Sequence, residues 1–241
     1  MKKIDLIQQV HQSQLLPESV KRDTLQAIDA GEIICGLEAV QTNQVPRVVA
    51  AGSFDPATYG HMRVINTAQQ LDPNAGVVII GSTTKSADYQ LFSMVERAAI
   101  IRSYGHSPKT IIGAHSDPDA HKALLSQLHQ QPEIIVKGVR RAEDSEHTAS
   151  LVEKYQVEPE KFHEMRASPS IENISSGDVK GMTWQQLQQG GHSESMLAKI
   201  KACVPDYVHT WILNALHQRP PEQNEIFLRR LEAGCSEALF G

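Results

Sequence analysis

The chain has 241 residues, a formal net charge of -5, and 40% hydrophobic against 21% charged residues. That is a globular composition, long enough for one large domain or one domain with additions, and it excludes a disordered chain or a strongly basic nucleic-acid binder. Aromatic residues make up only 5%, too few for a stacking platform on single strands, and the three cysteines, Cys35, Cys203 and Cys235, have no zinc or disulfide spacing.

Residues 1–46 read as a helical N-terminal extension. Ile4, Ile7 and Val10 recur at helical spacing, and Val20, Leu25 and Ile28 continue the pattern. Leu16-Pro17-Glu18 suits a helix start and Ala30-Gly31 a stop. The N-terminus lacks the apolar run of a signal peptide, and no stretch approaches the ~18–20 apolar residues of a membrane span. The expectation is a cytoplasmic protein without a membrane or nucleic-acid partner.

From residue 47 to about 182 the pattern changes. Short, β-branched, non-alternating runs at 48–51, 77–80, 110–113 and 134–136 have the character of strands buried on both faces. Amphipathic stretches at 61–71, 94–104, 120–130 and 144–155 separate them, and a fifth strand is expected near 162–165. Such alternation predicts an α/β core, a Rossmann-like doubly wound parallel sheet. Residues 183–241 read as a C-terminal helical region, punctuated by Gly190-Gly191 and Arg219-Pro220-Pro221. No internal repeat is visible.

In sheets of this kind ligands bind at the carboxyl ends of the strands. The first strand is followed by Gly52-Ser53-Phe54-Asp55-Pro56-Ala57-Thr58-Tyr59-Gly60-His61. Glycine permits close backbone approach to a phosphate, and a following helix offers free N–H groups and the positive end of a dipole. The run is neither a dinucleotide fingerprint nor a Walker A loop, for it lacks Gly-Lys-Ser/Thr. After the fourth strand come Lys137-Gly138-Val139-Arg140-Arg141, and further on Asn173-Ile174-Ser175-Ser176-Gly177-Asp178-Val179-Lys180.

These three segments, in this order, resemble the signatures of the nucleotidyltransferase superfamily: the T/H-x-G-H motif, an R-G-L-R segment and an I-S-S segment. They are most similar to those of the bacterial phosphopantetheine adenylyltransferases. The resemblance covers residues 47–216 and leaves both ends of the chain outside it. It departs from the pattern at Lys137, which stands for an arginine and loses the bidentate fork, and at Thr148, where an acidic residue is expected.

The resemblance implies transfer of AMP from ATP to 4′-phosphopantetheine, giving dephospho-coenzyme A and pyrophosphate, in a cytoplasmic homo-oligomer. The reaction is an in-line displacement that needs positioning and charge stabilisation rather than a nucleophile triad. By that likeness His61 and Lys85 are catalytic, and Ser53 and Lys85 hold the incoming phosphate. Ser53, Phe54, His61, Lys137, Gly138, Arg140, Ser175 and Ser176 bind ATP, and Mg²⁺ neutralises the leaving pyrophosphate. Blander roles stand beside these. His61 is otherwise a polar helix terminus, Lys85 a solvated loop lysine, Lys137 and Arg140 a charge run, and Ser175 and Ser176 caps. The remaining histidines, such as His115, His121 and His129, have no ligand spacing. Two alternatives stay open: transfer to another phosphorylated acceptor, and a non-catalytic nucleotide-binding module.

Overall fold

The computed structural model describes residues 2–80, 90–105, 108, 110–113, 124, 126–139, 142–166, 175–188 and 194–218, with only the backbone of 142–144 and 188. Helix α1 (Lys3–Gln12) and helix α2 (Glu18–Asp29) open the chain. Gly31, at φ 73°, ends α2, because that left-handed turn lets the Glu32 N–H reach Ala27 O at 2.8 Å and the Gly31 N–H reach Ile28 O at 3.2 Å. The chain emerges directed into a strand, β1 (Ile33–Cys35), followed by the short α3 (Gly36–Gln41).

That strand corrects the all-helical reading of the N-terminal residues. Ile33, Ile34 and Cys35 are all buried and pair in parallel with Ile111, Ile112 and Gly113. Three apolar residues carry no period of their own, so the strand arises from the open edge it meets rather than from a local pattern.

The core then follows the expected alternation. Strands β2 (Val48–Gly52), β3 (Gly76–Ile79), β4 (Ile111–Gly113), β5 (Ile134–Val139) and β6 (Phe162–Arg166) join β1 in one six-stranded sheet, ordered β1-β4-β3-β2-β5-β6. Every pairing is parallel. Helices α4 (Tyr59–Leu71), α5 (Met94–Ser103) and α6 (Ala142–Tyr155) are the crossovers. Residues 126–130 are also helical, while most of the expected helix at 120–130 lies outside the described residues. Helices α7 (Ser176–Gln188), α8 (Glu194–Cys203) and α9 (Asp206–Gln218) complete the described chain.

Alternate strand residues feed two apolar layers. Val48, Ala50, Val77, Ile79, Ile111 and Val136 face one layer, shared with α1, α2, α4, α5 and the C-terminal helices. Val49, Val78, Ile112 and Ile135 face the other, with Leu124, Leu128 and Tyr155. This is the period-two alternation of a sheet covered on both sides. The described helices that flank the core pack into it: Leu6, Val10 and Ile28 from α1 and α2, Val204 just before α9, and Val208 and Ile212 of α9 lie in the same cluster as the strands.

The strand order reverses between β2 and β5. From β2 the chain moves outward through β3 and β4 on one side; β5 and β6 lie on the other. A crevice opens at the carboxyl end of such a switch point, and the loops leaving β2 and β5 are the segments singled out by the sequence.

Candidate active site

The loop after β2 is built to present His61. Phe54 takes a positive φ of 49°, and the Asp55–Pro56 peptide bond is cis. The Phe54 ring is buried beneath the loop, where it closes over Gly52 and meets the His61 ring edge-on with centroids 5.3 Å apart. Thr58 caps α4: the Thr58 N–H donates to His61 Nδ1 at 3.1 Å, and Thr58 Oγ1 lies 2.8 Å from the same nitrogen. A nitrogen that accepts a backbone N–H carries no proton, so the proton of the neutral ring sits on Nε2, which is therefore a donor. Ser53 is exposed at the loop's start.

Beneath the loop lies a charge cluster that sequence reasoning missed. The Asp55 carboxylate accepts from Lys180 Nζ at 2.8 Å and from the Leu91 and Phe92 N–H groups, at 3.0 Å to Oδ2 and 2.9 Å to Oδ1 respectively. Arg97 adds Nη1 to Ser53 O at 2.9 Å. Burial alone pushes the Asp55 carboxyl up; the Lys180 and Arg97 charges and the donated hydrogen bonds outweigh it and hold its pKa below the ordinary value. Burial also lowers the pKa of Arg97, against the opposing pull of Asp55 and Glu96. No local pattern in the sequence marks this pair, since Lys180 stands in the mixed polar and apolar run of α7; once buried, an ammonium has to be paired.

Lys180 ties the third segment to the first. Ser176 Oγ donates to Pro56 O at 2.7 Å, so α7 is fastened to the loop at two points four residues apart. Ser175 is the cap of α7: its Oγ accepts the Asp178 N–H at 3.0 Å, and its own N–H donates to Asp178 Oδ2 at 2.7 Å. The Ser175 side chain thus caps the helix and the Ser176 side chain fastens it to the loop, roles compatible with the phosphate binding expected of this helix N-terminus.

From β5, Lys137 reaches toward α6, where its Nζ donates to Thr148 Oγ1 at 3.1 Å. The two departures from the expected pattern therefore meet each other. Gly138 is needed for packing, since a Cβ there would stand 3.0 Å from Val64 Cγ2 of α4. Lys85 and Arg140 lie outside the described residues. The structure brings Ser53, Phe54, His61 and Ser176 to one loop and places Lys137 on the strand adjoining β2.

A six-stranded parallel sheet covered by helices, with a glycine-led loop and a Thr58-capped helix at its switch point, defines a Rossmann-like α/β protein. Residues 49–182 match the cytidylyltransferase-like family, and the chain belongs to that family. Phosphopantetheine adenylyltransferase of Actinobacillus pleuropneumoniae serotype 3 is 31% identical over 109 residues, 44% of this chain and 63% of that protein. The enzyme of the same name from Aliivibrio fischeri is 24% identical over 178 residues, 72% of this chain and 96% of its own. Thus the alignment spans less than two thirds of the first of these relatives. Among solved structures, Plasmodium falciparum nicotinic acid mononucleotide adenylyltransferase complexed with NaAD is similar at a TM-score of 0.44 and 17% identity, covering 69% of this chain and 93% of its own. At that score the likeness says nothing about substrate.

Among the described residues no group of three His, Cys, Asp or Glu side chains could hold a metal ion. The loop's own carboxylate, Asp55, is engaged by Lys180. The donors presented by the loop suit phosphate oxygens rather than a cation, so a Mg²⁺ here would arrive on the nucleotide's phosphates, as this ion commonly does. No helix among the described residues is long and apolar enough to cross a membrane.

Proposed function

We propose that the protein is an adenylyltransferase that moves AMP from ATP to 4′-phosphopantetheine, yielding dephospho-coenzyme A and pyrophosphate. The observation that carries the reading is the His61 ring at the start of the helix after β2, held at Nδ1 by Thr58, an arrangement that favours Nε2 as its donor. In the reaction an oxygen of the acceptor phosphate forms a bond to the α-phosphorus of ATP. The bond from that phosphorus to the bridging oxygen breaks, and the electron pair leaves with pyrophosphate.

His61 Nε2–H donates to the α-phosphate as charge builds on its oxygens, the role for which a preorganised donor is worth most. Ser53 holds the incoming phosphate. Lys137, Lys85 and Arg140 are assigned the triphosphate and bridging roles that their motif positions imply, and Lys137 stands on β5, the strand that adjoins β2. A Mg²⁺ ion brought in on the nucleotide would supply charge neutralisation for the leaving pyrophosphate. The acceptor is supported by the names of the curated relatives, which align with the core.

The test is incubation with Mg²⁺-ATP and a panel of phosphorylated acceptors, reading pyrophosphate release and the mass of the product. Release with phosphopantetheine and a product of dephospho-coenzyme A mass is the expected result. Release only with a different acceptor refutes the acceptor, and no release with any of them refutes the activity.

A further inference from the structure

The N-terminal segment lies outside the family match, which begins at residue 49, and the reaction as drawn gives it no part. We propose that Ser13 is a positioning residue for the active-site loop, and that through it the N-terminal segment sets the geometry of the site. The kinetic part of this inference rests on the adenylyltransferase reading; the structural part does not.

Helix α5 is buried all round, from Met94 to Ile101 without interruption. A crossover helix that lies only on a sheet keeps one wet face. Here α1, α2 and the turn between them cover that face, contributing Leu6 and Val10, Ala27, and Leu16 respectively to the shared cluster. At the first turn of α5 the contact becomes polar. Ser13 Oγ donates to Glu96 Oε1 at 2.6 Å and accepts the Leu15 and Leu16 N–H groups, each at 3.2 Å. The other Glu96 oxygen accepts the Ser93 N–H at 2.8 Å. One carboxylate thus clamps the N-terminal turn to the cap of α5.

That same turn holds the active-site loop. Arg97, the next residue, sends Nη1 to Ser53 O at 2.9 Å and Nε to Ser93 O at 3.4 Å. Just before the cap, the Leu91 and Phe92 N–H groups grip Asp55. A stretch of seven residues, 91 to 97, therefore carries both the grip on the loop and the link to Ser13. Ser13 is only 7% exposed, so water does not readily replace its hydroxyl. Removing it leaves a buried carboxylate oxygen short of a donor. The turn relieves that by shifting, and it takes Arg97 and the two amides with it. Displacing groups that position reactants by about 1 Å can cost as much as ~10²-fold in rate.

The full chain is compared with Ser13→Ala and Ser13→Thr by amide hydrogen exchange without ligand and by steady-state pyrophosphate release. In S13A, exchange at Leu91 and Phe92 is expected to quicken about tenfold or more while the Val78 amide of β3 holds its rate, a local opening rather than a global one. The kcat/KM falls about tenfold or more, chiefly through kcat, and S13T, which keeps the hydroxyl, restores both. Unchanged exchange at the two amides overturns the proposal, as does equal acceleration at Val78, the mark of simple destabilisation. A kcat/KM within about twofold of the parent overturns it too, as no positioning energy is then lost. If the parent chain releases no pyrophosphate with any acceptor, the proposed function fails and exchange alone decides this inference. Should S13A not fold, Ser13→Cys, whose thiol is a weak donor, is read in the same way.

Discussion

Replacing Lys180 by methionine removes a charge while keeping most of the side chain's length. Lys180 is 1% exposed and Asp55 4%, so the variant strands a carboxylate in the interior. Removing one partner of a buried pair costs about 3–5 kcal/mol. Asp55 would keep the Leu91 and Phe92 N–H groups and the nearby Arg97 charge, so the lower end, about 3 kcal/mol, is expected. For a chain of this size that corresponds to a fall in Tm of about 6–12 °C. Denaturant unfolding followed by tryptophan fluorescence reads the loss directly, since Trp184 lies one turn beyond Lys180 on α7.

The loss also depends on pH in a definite direction. In the parent chain the folded-state pKa of Asp55 is lowered from the ordinary 3.8. Its contribution to stability is therefore complete above about pH 4 and is lost as the pH falls through the folded value. Without Lys180, burial pushes the carboxyl up, and protonation relieves the stranded charge. The gap between parent and variant is therefore widest near neutrality and narrows in acid. Adding Asp55→Asn to Lys180→Met should recover much of the loss, with a coupling energy of about 2 kcal/mol in the double-mutant cycle. A loss under about 1 kcal/mol, or one identical at pH 7 and pH 4, would refute the reasoning.

The other predictions probe the loop, the strand behind it and the N-terminal segment. His61→Ala should lower kcat for pyrophosphate release by ~10²-fold or more while costing only about 1 kcal/mol of stability from the weakened cap; a fully active variant removes His61 from the chemistry. Gly138→Ala forces a Cβ against Val64 Cγ2 at 3.0 Å and should cost about 1–3 kcal/mol in denaturant unfolding, with Val64→Ala relieving it. Leu6→Ala deletes a side chain that is 0% exposed and should cost about 2–5 kcal/mol in the main unfolding transition. No effect on that transition would mean that α1 does not share the core.

Much of the core was legible because a two-faced parallel sheet leaves a mark on the chain itself. Runs such as Val77-Val78 and Ile134-Ile135-Val136 are apolar without alternation, and the helices between them have their own period. The motif after β2 was legible for a similar reason: Ser53, Thr58 and His61 are close in sequence, and the cap that orients the histidine spans a single turn. What stayed hidden joins residues far apart in the chain. Asp55 and Lys180 are 125 positions apart, and Ser13 and Glu96 are 83 apart. No local pattern announces such a pair, because each member looks like an ordinary polar residue until folding removes its water. Strand β1 was hidden for the same reason, since three residues become a strand only where β4 offers an unpaired edge. The sequence by itself determined the alternating core and the capped turn after β2 that holds the His61 ring. The tertiary structure decided that α1, α2 and α9 belong to that core and that buried ion pairing and hydrogen bonding fix the loop, because burial and long-range pairing exist only once the chain has closed on itself.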